Sequence, residues 1–327
     1  MDERMLAAQY ETAGPRLGVL ELVELERPRP AAGEVLVRLA VSAVNPTDVG
    51  ARAGRAFHVA GERVVPGHDG AGEVVAVGDG VPAERVGERV WCYLAQWRRV
   101  QGTSASWIAL PSSQAVALPD GVSLELGAGL GIPALTAHRS LFADGTIDGA
   151  RILVQGGAGA VGHAAIELAR FGGARVAATV SSPEKGELAR AAGAELVVDY
   201  TSEPVVERVR DWAPDGVDRV VEVAVGTNAE TDASVLAPFR DIVSYGAPDK
   251  PIAVPRALMV GNNGVRFVLV YTMGDAAQAQ AVEDITRALR AGAMTALPSV
   301  RFPLEQIDAA HDAVSAHALG RVLIDVS

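Results

Sequence analysis

The sequence predicts an α/β protein in which a doubly wound parallel sheet is inserted into a β-rich domain. Three observations carry this. Strand and helix patterns alternate from 151 to 245, a glycine-rich turn joins the first of these strands to its helix, and short strands bounded by Gly and Pro fill the first third. Alternating, nearly continuous apolar strands are expected when helices cover both faces of a parallel sheet.

At 327 residues the chain is longer than one ordinary domain. Its 49% hydrophobic and 21% charged residues supply a core, while 5% aromatics with abundant Gly and Ala favour close helix–sheet packing over an aromatic-lined sandwich. In the first third, 35–41, 73–77 and 88–91 read as strands separated by turns such as Gly78-Asp79-Gly80. Near Leu124 an Ala/Gly/Leu-rich helix begins and runs through Pro133 to about Phe142. The alternating part then reads as strands 151–155, 175–180, 195–198, 217–223 and 241–245. Helices 160–171, 183–192 and 204–212 and a short one near 232–236 lie between them. A strand at 265–271, a helix at 276–290, a further strand, a helix at 304–316 and a strand at 321–326 close the chain. The economical division is 1–124 for the first part of the β-rich domain, 125–262 for the doubly wound domain, and 263–327 for a segment returning to complete the first.

Charge and composition exclude several partners. A net charge of −11, with no basic run longer than Arg98-Arg99, argues against nucleic acid. No apolar stretch approaches the roughly 18 residues of a membrane span, so no membrane partner is expected. The acidic start, Met1-Asp2-Glu3-Arg4, lacks an apolar signal core. The single cysteine, Cys92, leaves no internal disulfide and suits a reducing compartment, so a cytoplasmic protein is expected.

The most informative stretch is Gln155-Gly156-Gly157-Ala158-Gly159-Ala160-Val161-Gly162. Its G-x-G-x-x-G pattern at Gly157, Gly159 and Gly162 is weak alone, since the chain holds 35 glycines. Placement between a strand and a helix strengthens it. Such glycines allow a tight turn and close approach of a pyrophosphate to the helix N-terminus, the Rossmann arrangement. The competing reading is a strand–helix turn that binds nothing.

The end of the next strand selects the dinucleotide. An NAD site places a carboxylate there, roughly 20 residues past the loop, to hold the ribose 2′-OH. This chain has Thr179-Val180-Ser181-Ser182-Pro183-Glu184-Lys185. Hydroxyls followed by a cation suit a 2′-phosphate, and NADPH is the expected cofactor. Against this stands the plain alternative that Ser182 only caps a helix and Lys185 is a solvated side chain.

Further landmarks appear in order: Val41-Ser42-Ala43-Val44-Asn45-Pro46-Thr47-Asp48, Pro66-Gly67-His68-Asp69-Gly70-Ala71-Gly72-Glu73-Val74, Gly87-Glu88-Arg89-Val90, Pro133-Ala134-Leu135-Thr136-Ala137 and Gly320-Arg321-Val322-Leu323. With the loop between them, the set resembles the zinc-independent quinone oxidoreductase branch of the medium-chain dehydrogenase/reductase superfamily over nearly the whole chain. The resemblance implies a GroES-like catalytic domain split around a Rossmann domain, and NADPH-dependent reduction of quinones or α,β-unsaturated carbonyls. It implies that Asn45 and Thr136 line the nicotinamide end, and that Gly157, Gly159, Ala160, Val161 and Gly162 hold the pyrophosphate. Ser181, Ser182, Lys185 and Tyr200 would serve the 2′-phosphate. Gly246 would lie near the adenosine or ribose, Arg321 would close over a phosphate, and Val268 and Val270 would offer backbone groups to the carboxamide.

Departures from the pattern matter too. Zinc relatives place a cysteine where Asn45 stands and a His-Glu pair where this chain has His68-Asp69. Catalytic zinc needs three protein ligands, and no third joins His68, so no metal is expected. Quinone reductases of this branch often carry tyrosines soon after the Asn-Pro segment, whereas none occurs between 48 and 57. The acceptor is therefore left open among quinones, enones and enals. For an enone, Asn45 is the polar candidate to support enolate charge, and His68, Asp48 or a water is the candidate proton source. The rival functions are an enoyl-thioester reductase and a non-catalytic NADPH-binding redox sensor. The apolar run from Val265 to Val270 would be a hazard at an open sheet edge, so a homodimer paired through that edge is expected.

Overall fold

The computed structural model describes residues 4–14, 16, 18–55, 62–246 and 250–327. The chain opens with β1 (Arg4–Glu11), β2 (Glu21–Glu26), β3 (Glu34–Ala43), α1 (Pro46–Arg52), β4 (Arg63–Val64), β5 (Asp69–Val77), β6 (Arg89–Cys92), β7 (Trp107–Pro111) and β8 (Ala115–Ala117). Next come α2 (Leu124–Phe142), β9 (Arg151–Val154), α3 (Ala160–Phe171), β10 (Arg175–Val180), α4 (Pro183–Ala191), β11 (Leu196–Asp199), α5 (Val205–Trp212), β12 (Val217–Glu222), α6 (Val225–Val235) and β13 (Leu236–Ser244). The chain ends with α7 (Arg256–Val260), β14 (Gly264–Phe267), α8 (Asp275–Arg290), β15 (Ser299–Pro303), α9 (Ile307–Ser315) and β16 (Arg321–Asp325).

Two compact units result: Met1–Ile132 with Ala296–Ser327, and Pro133–Thr295. The expected divisions at 124/125 and 262/263 are thus displaced. The second moves furthest, because β14 pairs in parallel with β13 and so stays in the doubly wound unit.

In the first unit the main sheet runs β15-β16-β3-β5-β6-β8, with β7 also on β3. Seven of the ten residues of β3 are apolar and seven are buried, with only Arg38 exposed. Antiparallel pairing of β16 and of β5 with the same end of β3 sets Ala43 opposite both Leu323 and Asp69. This register brings the residue after β3, the start of β5 and the start of β16 to one place. Leu39, Val74, Ile108, Leu110 and Ile324 fill the core beneath. β1 and β2, which the sequence reading passed over, pair antiparallel beside β4; β2 alternates between half-buried positions (Glu21, Val23, Leu25) and exposed ones (Leu22, Glu24, Glu26), as an edge strand does.

In the second unit six strands run in the order β11-β10-β9-β12-β13-β14, and every pair is parallel. β9 lies between β10 and β12, so the turn leaving β9 sits where the strand order reverses, the position at which such sheets bind ligands. α6 begins at Val225, well before the short helix expected near 232–236. Gly226 and Thr227 are poor helix formers, but Val225, Ala229 and Ala233, four apart, bury against Val220 and Ile242 and overrule the propensity. The strand expected at 265–271 ends at Phe267: a 3-10 turn at Val270–Thr272 follows, burying Val270 and Tyr271.

Candidate cofactor and catalytic sites

The glycine-rich turn is built to bring backbone close to a ligand. Gly156 takes φ +70, a conformation that favours glycine. A Cβ on Gly157 would stand 2.7 Å from the Ala178 Cβ, and one on Gly162 would stand 2.3 Å from the Gly156 carbonyl oxygen. Both positions therefore need glycine for the close passage of β9, β10 and α3. Gly159 is the N-cap of α3, leaving the first-turn amides of Ala160, Val161 and Gly162 without intrahelical acceptors. These residues fit a dinucleotide pyrophosphate: free amides at a positive helix end, on a backbone that carries little beyond glycine and alanine.

The turn is held from below. Gly157 N donates to the Thr179 carbonyl at 2.9 Å, and Gly156 N to the Thr179 hydroxyl at 3.2 Å. That hydroxyl donates to Gln155 Oε1, and Gln155 Nε2 donates to Asp232 Oδ1 at 2.7 Å. Asp232 is fully buried and interacts with the carboxylate of Glu222, which also accepts from the Ala224 amide and the Asn228 side chain. Desolvation, and then the Glu222 charge, drives the Asp232 pKa well above the ordinary carboxylate range. Sequence reasoning missed this chain, because its carboxyls lie on different elements and match no motif.

At the end of β10, Lys185 Nζ donates to Ser181 Oγ at 2.8 Å, which holds the ammonium over the strand end. Ser182 caps α4 by accepting from the Lys185 amide at 3.3 Å. Tyr200 is exposed, and its amide donates to the Val180 carbonyl, so it borders the same strand end. The neighbouring strand end carries Asp199, but the Thr201 hydroxyl and amide already bind that carboxylate and hold its pKa down.

Other expected contacts of this unit are placed as follows. Thr136 is buried on α2, its carbonyl accepting from Ser140 at 2.8 Å. Gly246 passes so close to Val223 that a Cβ would meet its carbonyl oxygen at 2.0 Å. Val268 and Val270 are buried; the Val268 amide is committed to the Ser244 carbonyl, and the Val270 carbonyl accepts from Met273.

In the first unit the register of β16, β3 and β5 gathers a buried polar cluster. Asn45 Nδ2 donates to Asp69 Oδ2 at 2.9 Å, and Arg321 Nη1 donates to Asn45 Oδ1 at 3.1 Å. Arg321 Nη2 lies 3.6 Å from Asp69 Oδ2. Asp69 Oδ1 accepts from the Ile132 amide at 2.9 Å. Asp48 Oδ2 accepts from the Asn45 amide at 2.7 Å, while Oδ1 has no hydrogen-bond partner and stands 3.9 Å from His68 Nε2. Burial pushes Asp48 up to about 7 and Asp69 up to about 6, the latter against the opposing charge of Arg321. Burial drives His68 down to about 3, with the Arg99 charge adding to it, so the imidazole is neutral. Arg321 thus faces Asn45 and Asp69, and the Asn45 carboxamide is engaged through both its oxygen and its nitrogen.

Zinc does not fit these residues. Among the described residues no three His, Cys, Asp or Glu side chains gather to hold a metal. Burial raises the Cys92 thiol to about 12, far from a thiolate, and Asp69 already answers a guanidinium. Residues 56–61, on which part of the tyrosine-free segment falls, lie outside the described residues. Among the described residues no helix is long and apolar enough to cross a membrane.

Comparison with known proteins agrees with this division. The family model "Alcohol dehydrogenase GroES-like domain" matches residues 31–120, and "Zinc-binding dehydrogenase" matches residues 160–288. The chain is 27% identical to the quinone oxidoreductase of Rattus norvegicus, over 96% of this chain and 95% of that protein. The quinone oxidoreductase of Thermus thermophilus, solved also in complex with NADPH, superposes with a TM-score of 0.82 at 30% identity, over 98% of this chain and 100% of that one. A structure described as an NAD-dependent alcohol dehydrogenase superposes at 0.88 with 27% identity, over 99% and 100% of the two chains. Its nucleotide differs from that of the Thermus complex, so likeness of fold alone does not choose between the two dinucleotides.

Proposed function

We propose that this chain, which belongs to the quinone oxidoreductase-like branch of the medium-chain dehydrogenase/reductase superfamily, is a zinc-independent, NADPH-dependent reductase of quinones and α,β-unsaturated carbonyls. The observation that carries the cofactor choice is the strand end at Ser181, where the Lys185 ammonium and two hydroxyls stand in place of a carboxylate. A 2′-phosphate meets a cation there, whereas an unmodified ribose finds no carboxylate at that strand end for its 2′-hydroxyl.

When bound, NADPH supplies the hydride. The chain itself binds the pyrophosphate through the α3 amides and manages protons through the first unit's cluster. Of its two candidate proton holders, Asp48 is the one that keeps a proton near neutral pH, and Oδ1 is where that proton has room; His68 stays neutral. No step needs a metal.

Initial rates of NADPH and NADH oxidation over a panel of quinones, enones, enals and enoyl thioesters test this reading. Turnover of a quinone or enone with preference for NADPH is expected, unaffected by chelators and without stoichiometric zinc in the purified protein. Preference for the thioesters would reassign the substrate class. Tight NADPH binding without turnover of any acceptor would turn the case toward a redox sensor.

A further inference from the structure

The buried carboxyl pair beneath the glycine-rich turn is used by nothing described so far. Asp232 Oδ2 has no donor within reach, although it is fully buried. A carboxylate oxygen left so would be costly. The difficulty disappears if Oδ2 carries a proton and donates it to Glu222, whose remaining acceptor positions take the Ala224 amide and the Asn228 side chain. The pair then has one charge, solvated by protein donors. The direction of the Asp232 shift agrees with this.

We propose that Asp232, protonated and hydrogen-bonded to Glu222, is a positioning residue for the dinucleotide loop, acting through Gln155 and Thr179 on the Gly156 turn. That role presupposes the dinucleotide-binding reading and follows from hydrogen-bond polarity. Asp232 accepts from Gln155 Nε2, which fixes the carboxamide so that its oxygen faces Thr179. Thr179 must then donate to that oxygen, which leaves its own lone pair for the Gly156 amide. Every member of the chain has one consistent role only in this direction. A second ionisation would place two unscreened charges side by side and pull Gln155 away from Thr179. Among the described residues, the groups facing the pair include Gln155 from the turn, Asn228 from α6 and the half-buried Tyr245 after β13, whose pKa the Glu222 charge also helps to raise. α5 adds Val209 to the core that α6 shares and sets the Arg210 guanidinium on the Ser234 carbonyl, at 2.9 and 2.8 Å, while α7 adds Leu258 to that core.

Asp232→Asn and Asp232→Leu separate positioning from bulk. Asparagine keeps an acceptor for Gln155 and a donor for Glu222; leucine keeps neither. NADPH and NADH are titrated against protein fluorescence from neutral to alkaline pH, and hydrogen exchange of the 155–160 amides is followed without ligand. The asparagine variant should bind both dinucleotides within about twofold of wild type, and the leucine variant should weaken both about tenfold, since the pyrophosphate is common to them. Wild-type affinity should fall as Asp232 ionises, while the asparagine variant stays flat. An asparagine variant that shares the wild-type alkaline loss, or a leucine variant that binds normally, overturns the role. Should leucine prevent folding, the asparagine pH profile alone decides. If wild type binds neither dinucleotide, the cofactor reading fails, and exchange decides the positioning role: 155–160 amides opened by leucine and not by asparagine support it, equal exchange overturns it.

Discussion

Asp69 Oδ1 occupies the space beside Gly131, where a Cβ would come within 2.0 Å of it. Only glycine on that turn of α2 lets the carboxylate reach the Ile132 amide. Gly131→Ala should therefore displace Asp69 from both Ile132 and Asn45, at a cost on the order of 1–3 kcal/mol in unfolding free energy. Chemical denaturation checks this; an unchanged midpoint would show that the cluster yields without penalty.

Asp48 sets a pH dependence of stability. Its folded pKa, about 7, is above the ordinary value, so the native state holds a proton that the unfolded chain releases near pH 4. The associated stability is fully present below about pH 4 and is lost as the pH rises through about 7. Asp48→Asn keeps an acceptor for the Asn45 amide and removes the ionisation. It should be more stable than wild type at pH 8 by about 1 kcal/mol or more, with the difference vanishing in acid. Thermal melts across that range measure it, and a constant difference at every pH would contradict the assignment.

Lys185 should separate the two cofactors. A charge-assisted hydrogen bond to phosphate contributes about 1.5–3 kcal/mol, so Lys185→Ala should weaken NADPH roughly 10- to 100-fold. NADH has no phosphate to lose and should bind almost as before. Paired titrations give the answer. Equal losses would mean that Lys185 serves only α4, and a wild-type preference for NADH would overturn the cofactor choice.

β14 is the last strand of its sheet, with β13 on one side. We propose that its other edge pairs with the same strand of a second copy. Phe267 is 57% exposed, and Phe239, Met259 and Val260 are exposed as well. Because the Val268 amide points at β13, alternation turns the Phe267 amide outward. Phe267→Pro should remove an outward donor without breaking the inner ladder and yield a monomer by light scattering. A monomeric wild type at micromolar concentration would refute the pairing.

The parts of this architecture that were legible in the sequence are those governed by local chemistry. The β9–α3 turn announced itself through glycines that only a tight passage requires, and Ser182 and Lys185 through their place at a strand end. What local pattern could not give is pairing. The start of α6 depended on burial against β12 and β13 rather than on helix propensity. The boundary at Thr295 depended on which sheet β14 joined. In the sites, Asn45, Asp69 and Arg321 were each noticed, but their mutual contacts follow from the register of three strands drawn from both ends of the chain. The Gln155–Asp232–Glu222 chain left no sequence signal at all, since a buried Asp on a helix reads like any solvated one.

That shared register has a bearing on how the molecule is made. Pro133–Thr295 is continuous in the chain, so its sheet can close while synthesis is still under way. The other unit has no such freedom: Leu323 sits opposite Ala43, and until β16 emerges, the flank of β3 that it covers stays open. A pairing across nearly the whole chain is slow to find, because loop closure must precede any gain from contact. Newly made chains therefore pass through a half-assembled form, complete in its nucleotide-holding half and exposed along β3. A chain cut short before residue 321 would stay in that form.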